Sequence, residues 1–98
     1  MKLINFDQQE LEQKAEALKA IAHPVRIAIL HYLIENKKLS VTEIHELLNM
    51  EQATTSHHLG ILKNRGVLAS QRDGKNTFYF IKNDQLKKLV DSIIASKI

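Results

Sequence analysis

The side chains best suited to specific contacts lie together on one face of a helix predicted over residues 52–64. At about 100° per residue, that face carries Ala53, Ser56, His57 and Gly60, which are small or polar groups with one imidazole. A helix face exposed only to water more often carries Glu and Lys, whereas small polar residues let another surface approach closely. Hydroxyl and imidazole groups can hydrogen-bond base edges and phosphates. We interpret this face as a contact surface for a DNA groove; the alternative is an idle solvated face.

The same residues do not form a catalytic site. Ser56 and His57 are neighbours on a helix and point away from each other, so they are not a nucleophile–base dyad. The adjacent His57 and His58 point about 100° apart and do not form a chelating pair. The sequence has no cysteine, no Gly-rich phosphate loop and no two-histidine metal motif. We therefore expect a protein that is not an enzyme and that needs no cofactor.

Positive charge is concentrated in the same part of the chain. The whole chain has a net charge of +3, but residues 52–82 carry five basic residues against Asp73, a net charge of +4. The basic residues are Lys63, Arg65, Arg72, Lys75 and Lys82. Such an excess suits contact with phosphates; a solvated basic face is the alternative.

Length and composition indicate one domain. The chain has 98 residues, of which 44% are hydrophobic and 26% are charged, as in ordinary folded domains. No apolar run approaches the roughly 20 residues of a membrane span. Residues 1–7 are too short and too soon acidic for a signal peptide. We expect a single domain over residues 1–98 that lies in the cytoplasm and does not contact a membrane.

Helical periodicity and capping signals predict the elements that position the polar face. The expected fold is mostly α with a small β-hairpin. The predicted helices cover residues 8–21, 24–35, 41–48, 52–64 and 84–96, and the predicted strands cover residues 67–72 and 76–81. The third and fourth helices are joined by a turn at residues 49–51, which is the length that helix-turn-helix motifs use.

Local signals mark where these elements begin and end. Ser40 with Glu43 predicts a capping box at the third helix, and Asp7 with Glu10 resembles one at the first helix. Gly66 predicts the end of the fourth helix. The Asp73–Gly74 pair predicts a type I′ turn at the hairpin tip. The hairpin has to pack on the helices, because a lone two-stranded hairpin is marginally stable.

Residues around the hairpin tip could reach a phosphate backbone or a minor groove. These residues are Arg72, Lys75 and Asn76. A solvated turn is the alternative interpretation.

Apolar spacing predicts which side chains face the core. The expected inward residues are Ile44, Leu47 and Leu48 in the third helix and Thr55, Leu59 and Leu62 in the fourth. The second helix is nearly all apolar and is expected to be the buried central helix. Its Arg26 is expected to pair locally, and its His31 to be a core histidine bonded to backbone.

The terminal helices carry more apolar surface than one small core can cover. Leu86, Leu89, Val90, Ile93 and Ile94 recur at i, i+3, i+4, i+7 and i+8 on the last helix, and Leu11 and Leu18 lie on the first. We expect these residues to form a homodimer interface.

These features together resemble the ArsR/SmtB-type winged-helix repressors. The matching stretches are Leu18–Leu30, which contains His23-Pro24-Val25-Arg26, then Ser56–Lys63, Gly66–Leu68, and Arg72–Lys75 with Tyr79. They cover nearly the whole chain in the order helix, helix, helix-turn-helix, hairpin, helix. The resemblance implies a winged helix-turn-helix fold and DNA binding.

The resemblance also implies which residues touch DNA. In the family, contacts come from the start and outer face of the second helix of the motif, here Gln52, Ser56 and His57 with Thr54 nearby, while the hairpin acts as a wing. The candidate DNA-binding set is therefore Gln52, Thr54, Ser56, His57, Lys63, Arg72, Lys75 and Asn76. Gln can bond an adenine edge bidentately. Glu51 departs from the family, which often has Ser there, and it would repel a close phosphate.

The sensor ligands of the family have no counterpart in this sequence. Ser40 and Thr42 stand where metal-sensing members carry thiolates, and neither is a usable soft ligand. The last helix has Asp84 and Asp91 but no histidine. A site built from histidines 23, 31 or 45 is the remaining alternative, although their spacing places no two imidazoles on one helix face. We expect no metal, and the sequence names no effector.

The sequence thus predicts a homodimeric transcriptional regulator, most often a repressor in this family, that binds an inverted repeat in double-stranded DNA. Helix 52–64 would enter the major groove and the wing at 72–76 would contact flanking backbone. The alternative is a winged-helix protein-interaction module without DNA binding, which Glu51, Ala53 and the modest net charge favour.

Overall fold

The computed structural model describes residues 7–98; residues 1–6, which carry most of the signal-peptide argument, lie outside the described part. The helices are α1 (Gln8–Ile21), α2 (Pro24–Asn36), α3 (Val41–Leu48), α4 (Gln52–Asn64) and α5 (Asp84–Ala95), and the strands are β1 (Leu39–Ser40), β2 (Leu68–Asp73) and β3 (Asn76–Ile81). This confirms the predicted winged helix-turn-helix order, and the helix bounds agree with the predicted ones to within one residue.

The helix starts follow from hydrogen bonds between side chains and exposed backbone N–H groups. The capping box of α3 is confirmed, since Ser40 Oγ accepts from Glu43 N at 3.1 Å and Glu43 Oε1 accepts from Ser40 N at 2.9 Å. Of the two hydrogen bonds of the capping box expected at α1, only one forms. Asp7 caps the helix by accepting from Gln9 N, but Glu10 binds Lys14 one turn later instead of reaching back.

The end of α4 is a Schellman motif, which turns the chain sharply into β2. The N–H of Val67 donates to the carbonyl of Leu62 at 2.9 Å, and the N–H of Gly66 donates to the carbonyl of Lys63 at 3.1 Å. Gly66 has φ +78°, which a residue with a Cβ adopts only with strain. The predicted helix end at Gly66 is therefore confirmed, with the glycine one residue beyond the cap.

The hairpin belongs to a three-stranded antiparallel sheet of order β1-β3-β2, because the short β1 pairs with β3 through Leu39–Tyr79 and Ser40–Phe78. The sequence predicted only the two strands of the hairpin and did not predict β1. The predicted turn is also wrong by one residue. Asp73 pairs with Asn76, so the central turn residues are Gly74 and Lys75. A positive φ at the first central residue, as at Gly74 (φ +63°), is typical of type II′.

The core is built around α2, as predicted. The largest fully buried apolar side chains come from α2, α3, α4 and the start of the hairpin, and they are Ile29, Leu30, Leu33, Ile44, Leu59, Leu62, Val67 and Leu68. Two expectations are wrong at its edge. His31 has a side chain that is 41% exposed and lies 3.1 Å from Glu35 on its own helix, because α2 packs on its other faces. Leu47 is 45% exposed, whereas Ile44 is buried.

Among residues 7–98, no single helix is long and apolar enough to cross a membrane, and α1 with α2 reach that length only as a pair bent by 93°.

The capping box generates a stability prediction. Ser40→Ala should lower the free energy of unfolding by about 1 kcal/mol, because the Glu43 N–H loses its acceptor at the start of α3. Urea unfolding followed by circular dichroism measures this loss. Thr42→Ala, an exposed substitution in the first turn of the same helix, is the matched control. Equal unfolding midpoints for the two variants would show that the cap contributes nothing.

Candidate nucleic-acid interface

The outer face of α4 is exposed because its opposite face is locked into the core. Thr55, Leu59 and Leu62 are completely buried, as the periodicity predicts. The candidate contact residues of this helix are all exposed: Gln52, Thr54, Ser56, His57 and Lys63. Ile61, near the end of the same helix, is half-buried against the core. Each candidate contact residue on α4 is therefore accessible from solvent.

The turn between α3 and α4 is held by a compact set of backbone bonds. Asn49 is in the left-handed region with φ 53°, and its N–H donates to the carbonyls of Glu46 and His45. The N–H of Met50 also donates to the carbonyl of His45, at 3.1 Å, and the His45 ring Nδ1 lies 3.2 Å from the Met50 carbonyl oxygen. This three-residue turn fixes the angle at which α4 leaves α3.

The first turn of α4 has an unusual start. Glu51 is the N-cap, but its side chain makes no capping hydrogen bond and is exposed. Its carbonyl oxygen instead accepts from Thr55 Oγ1 at 3.0 Å, which satisfies a buried hydroxyl. An exposed carboxylate at this point is stabilised by the positive end of the helix dipole, but it repels an approaching phosphate.

The wing presents its polar residues at the far end of the sheet. Arg72, Lys75 and Asn76 are all exposed at the tip, with Arg72 Nε donating to the Gly74 carbonyl at 3.2 Å. On the other side of β3, the Lys38 ammonium lies 5.4 Å from the centre of the Phe78 ring. The tip of the wing therefore carries three exposed polar side chains.

One polar contact to α4 was missed by the sequence interpretation. His58 is buried on the inner side of α4, and its Nδ1 accepts a hydrogen bond from Arg26 Nε at 3.2 Å. The Arg26 guanidinium also donates to the carbonyl of Ala20 at 3.0 Å. The expected local pairing of Arg26 is thus incomplete, because its second partner lies 32 residues away. The spacing of His58, three residues after Thr55 and four before Leu62, was the available signal that it faces inward.

The surroundings of His58 make it hard to protonate. Burial lowers the pKa of His58 below the ordinary 6.5, and the nearby His23, Arg26 and His57 lower it further by repulsion. The rings of His23 and His58 are 4.9 Å apart between centroids. His23 is also the N-cap of α2, since its Nδ1 accepts from Val25 N at 3.1 Å. His58 is therefore neutral when its hydrogen bond to Arg26 is formed.

The terminal helices leave an apolar surface on the single chain. Leu18, Leu89 and Ile93 are 52%, 39% and 48% exposed, and Ile94 is also exposed. Leu11 and Leu86 are half-buried. Between α1, α2 and α5 lies an almost wholly apolar cavity of about 250 Å³, lined by Leu18, Ile21, Ala22, Ile27, Leu89, Val90 and Ile93. Val90 is only 2% exposed, so it belongs to the core of the protomer and not to the expected interface.

Within residues 7–98, no group of three or more His, Asp or Glu side chains is placed to hold a metal ion. Ser40, which stands at a ligand position of the metal-sensing pattern, is 7% exposed and occupied in the α3 capping box.

The lowered pKa of His58 generates a pH prediction. The unfolded histidine, with a pKa near 6.5, takes up a proton more readily than folded His58. The stability that neutral His58 contributes is therefore complete above pH 6.5 and is lost as the pH falls through the lowered pKa. Between pH 7.5 and 5, the free energy of unfolding should fall more steeply for the native chain than for His58→Asn. His31→Asn, which removes a half-exposed histidine, should keep the native slope; equal slopes in all three would contradict the assignment.

Comparison with known proteins identifies the family. The family model described as "Bacterial regulatory protein, arsR family" matches residues 23–70, which include α2, α3 and α4. The uncharacterized HTH-type transcriptional regulator MJ1325 of Methanocaldococcus jannaschii is 40% identical over 88 residues, covering 87% of this chain and 99% of the relative.

Solved structures agree with that match. The crystal structure of the transcriptional repressor PagR of Bacillus anthracis has a TM-score of 0.81 at 34% identity, covering 89% of this chain and 99% of the other. The solution structure of the homodimeric winged helix-turn-helix DNA-binding domain Mb0332 from Mycobacterium bovis, a possible ArsR-family regulator, has a TM-score of 0.81 at 25% identity, covering 94% and 87%. The chain belongs to the ArsR family of bacterial regulatory proteins.

Proposed function

We propose that this chain is a homodimeric repressor that binds an inverted repeat through the outer face of α4 and the wing. As a winged-helix member of the ArsR family, it is a DNA-binding transcriptional regulator and not an enzyme. The observation that carries the proposal is the exposed row Gln52, Ser56 and His57 on a helix whose inner face is completely buried. A rigidly held helix with free polar side chains is what direct readout of base edges needs.

The two-fold arrangement follows from the terminal helices. Leu18, Leu89 and Ile93 lie exposed on neighbouring helices, and a second copy of the chain would cover them. The homodimeric state of the Mb0332 domain supports this arrangement. Two copies of α4 would then meet successive major grooves about one helical turn apart, roughly 34–36 Å. The single domain over residues 1–98, with α1 and α5 as dimerising helices, would act in the cytoplasm.

The wing and Lys63 would supply most of the phosphate contacts. Lys63, Arg72 and Lys75 are exposed, and each phosphate that they neutralise releases counterions. Binding should therefore weaken steeply as salt rises. The exposed carboxylate of Glu51 at the start of α4 favours the protein-interaction alternative, as do Ala53 and the modest net charge. The named functions of the relatives favour DNA binding.

The base-contact assignment predicts the behaviour of two variants. Gln52→Ala and His57→Ala should each weaken operator binding by roughly 1–3 kcal/mol without unfolding the protein, because each removes a hydrogen-bonding group from an exposed face. Fluorescence anisotropy with labelled DNA from upstream of the gene, against scrambled DNA, measures the loss. Gln13→Ala on α1 and His31→Ala on α2 are matched controls. If both α4 variants bind as the native chain does, the contact assignment fails.

The dimer assignment predicts the effect of one charge. Ile93→Glu should shift the protein from dimer toward monomer, because a carboxylate on an apolar interface has to be desolvated without a partner. Sedimentation velocity over a range of protein concentrations measures the shift. Ser92→Glu places the same charge at an adjacent exposed position of α5 and should leave the dimer intact. A fully dimeric Ile93→Glu variant would place the interface elsewhere.

A further inference from the structure

Arg26 joins the helix that reads DNA to a helix at the proposed subunit boundary. It lies in the first turn of α2, and its guanidinium bridges the Ala20 carbonyl of α1 and the Nδ1 of His58 on α4. Both acceptors are on buried residues and Arg26 itself is half-buried, so the bridge is partly shielded from water. The α4 residue before His58 is His57, which faces outward on the candidate contact surface. The bridge therefore acts on α4 directly behind its reading face.

We propose that Arg26 is a positioning residue for DNA recognition, which holds α4 against α1 through neutral His58 and releases it when His58 takes up a proton. This inference rests on the proposed function and adds a regulation to it. The contact is specific to one protonation state. Arg has donors and no acceptor, so His58 Nδ1 must present its lone pair and carry its proton on Nε2. A protonated imidazole has donors on both nitrogens and cannot accept from Arg26.

Protonation would also place a new positive charge among existing basic groups. The titratable or charged groups that act on His58 are His23 and Arg26, from the start of α2, and His57, from α4 itself. From α1 comes the uncharged Ala20 carbonyl, which already accepts from Arg26. Losing the hydrogen bond and adding the repulsion act in the same direction, because both favour separation of α4 from α2 and α1.

The position of α4 matters more in a dimer than in a monomer. Leu18, on the exposed face of α1, lies two residues before the Ala20 carbonyl that Arg26 holds. A change in the position of α4 relative to α1 therefore alters the separation of the two reading helices. Because the dimer is two-fold symmetric, the change occurs in both subunits. An inverted repeat with fixed spacing tolerates such a change poorly. Contacts between basic residues and phosphates carry no sequence information and are affected less.

The test compares variants that break the bridge with one that keeps it but does not titrate. Arg26→Met removes the donors at similar length, His58→Leu removes the acceptor, and His58→Asn keeps an acceptor near the position of Nδ1. His31→Asn is the control for loss of a histidine elsewhere. For each full-length protein, anisotropy gives the ratio of affinities for upstream and scrambled DNA from pH 8 to 5.5. Circular dichroism and sedimentation verify folding and dimerisation. The ratio removes changes in phosphate-mediated affinity that affect both DNAs alike.

The native protein and His31→Asn should lose selectivity as the pH falls, by up to about tenfold for each unit below the pKa of His58. His58→Asn should keep the native selectivity at pH 8 and a flat profile, while folded, dimeric Arg26→Met should lose selectivity by about tenfold at every pH. A purely structural role would lower the stability of Arg26→Met and leave its selectivity unchanged. Native selectivity in Arg26→Met and His58→Leu, or the same pH profile in His58→Asn as in the native chain, overturns the proposal.

A second measurement needs no operator. Nitrogen-15 NMR of the native protein should show His58 as the Nε2–H tautomer at pH 8, and amide signals of α1 around Ala20 should shift with its titration, because Arg26 connects the two. In Arg26→Met those α1 amide shifts should no longer follow His58. A proton on Nδ1 at pH 8, or α1 amides indifferent to the titration, overturns the bridge whatever DNA the protein binds. Loss of selectivity in the native protein at all pH values, with the NMR signature intact, would instead refute the proposed function alone.

Discussion

The structure depends on the burial of one face of α4. Thr55, Leu59 and Leu62 are completely excluded from water and pack into the core around Leu30 and Leu33 of α2. Apolar burial of this kind resists change, because the close-packed interior leaves few alternative arrangements for a side chain. The exposed residues between them in sequence do not pack in the core, so these positions can carry polar and small groups suited to recognition. The same helix thus supplies core side chains on one face and an exposed surface on the opposite face.

Two polar contacts refine what apolar packing leaves open. Apolar packing fixes how closely a helix approaches the core. It restricts sliding of the helix along its axis and rotation about that axis less strongly, because hydrophobic contacts are not directional. The Arg26–His58 hydrogen bond is directional and joins α2 to the second turn of α4. The weaker Arg65–Glu16 pair, at 3.6 Å and largely exposed, links the far end of α4 to α1. Orientation of the reading face is therefore set mainly near its N-terminal half.

The sequence is sufficient for the helices, the hairpin and the accessible face of α4, but not for strand β1 or for the contacts between distant residues. Helix bounds are predictable because caps such as Ser40–Glu43 and the apolar periods are local signals. Strand β1 has two residues and exists only because β3 lies beside it, so no local pattern marks it. Asp73–Gly74 signals a turn, but the pairing of Asp73 with Asn76 decides which residues are central. Whether Arg26 pairs locally or with His58 depends on how α2 meets α4, which is a tertiary fact.

In the proposed binding mode, the placement of charge would separate affinity from selectivity. Lys63 is the only Lys or Arg in the sequence of α4, and it lies near the end of the helix, whereas Arg72 and Lys75 are on the wing. Glu51 adds a negative charge at the start of α4, where many DNA-binding helices accept a phosphate. In the proposed binding mode, the outer face of α4 would gain little from phosphates and would depend on hydrogen bonds to base edges, while the wing would supply the salt-sensitive part. Raising the salt concentration should therefore weaken operator and scrambled DNA binding by similar factors and preserve the ratio between them.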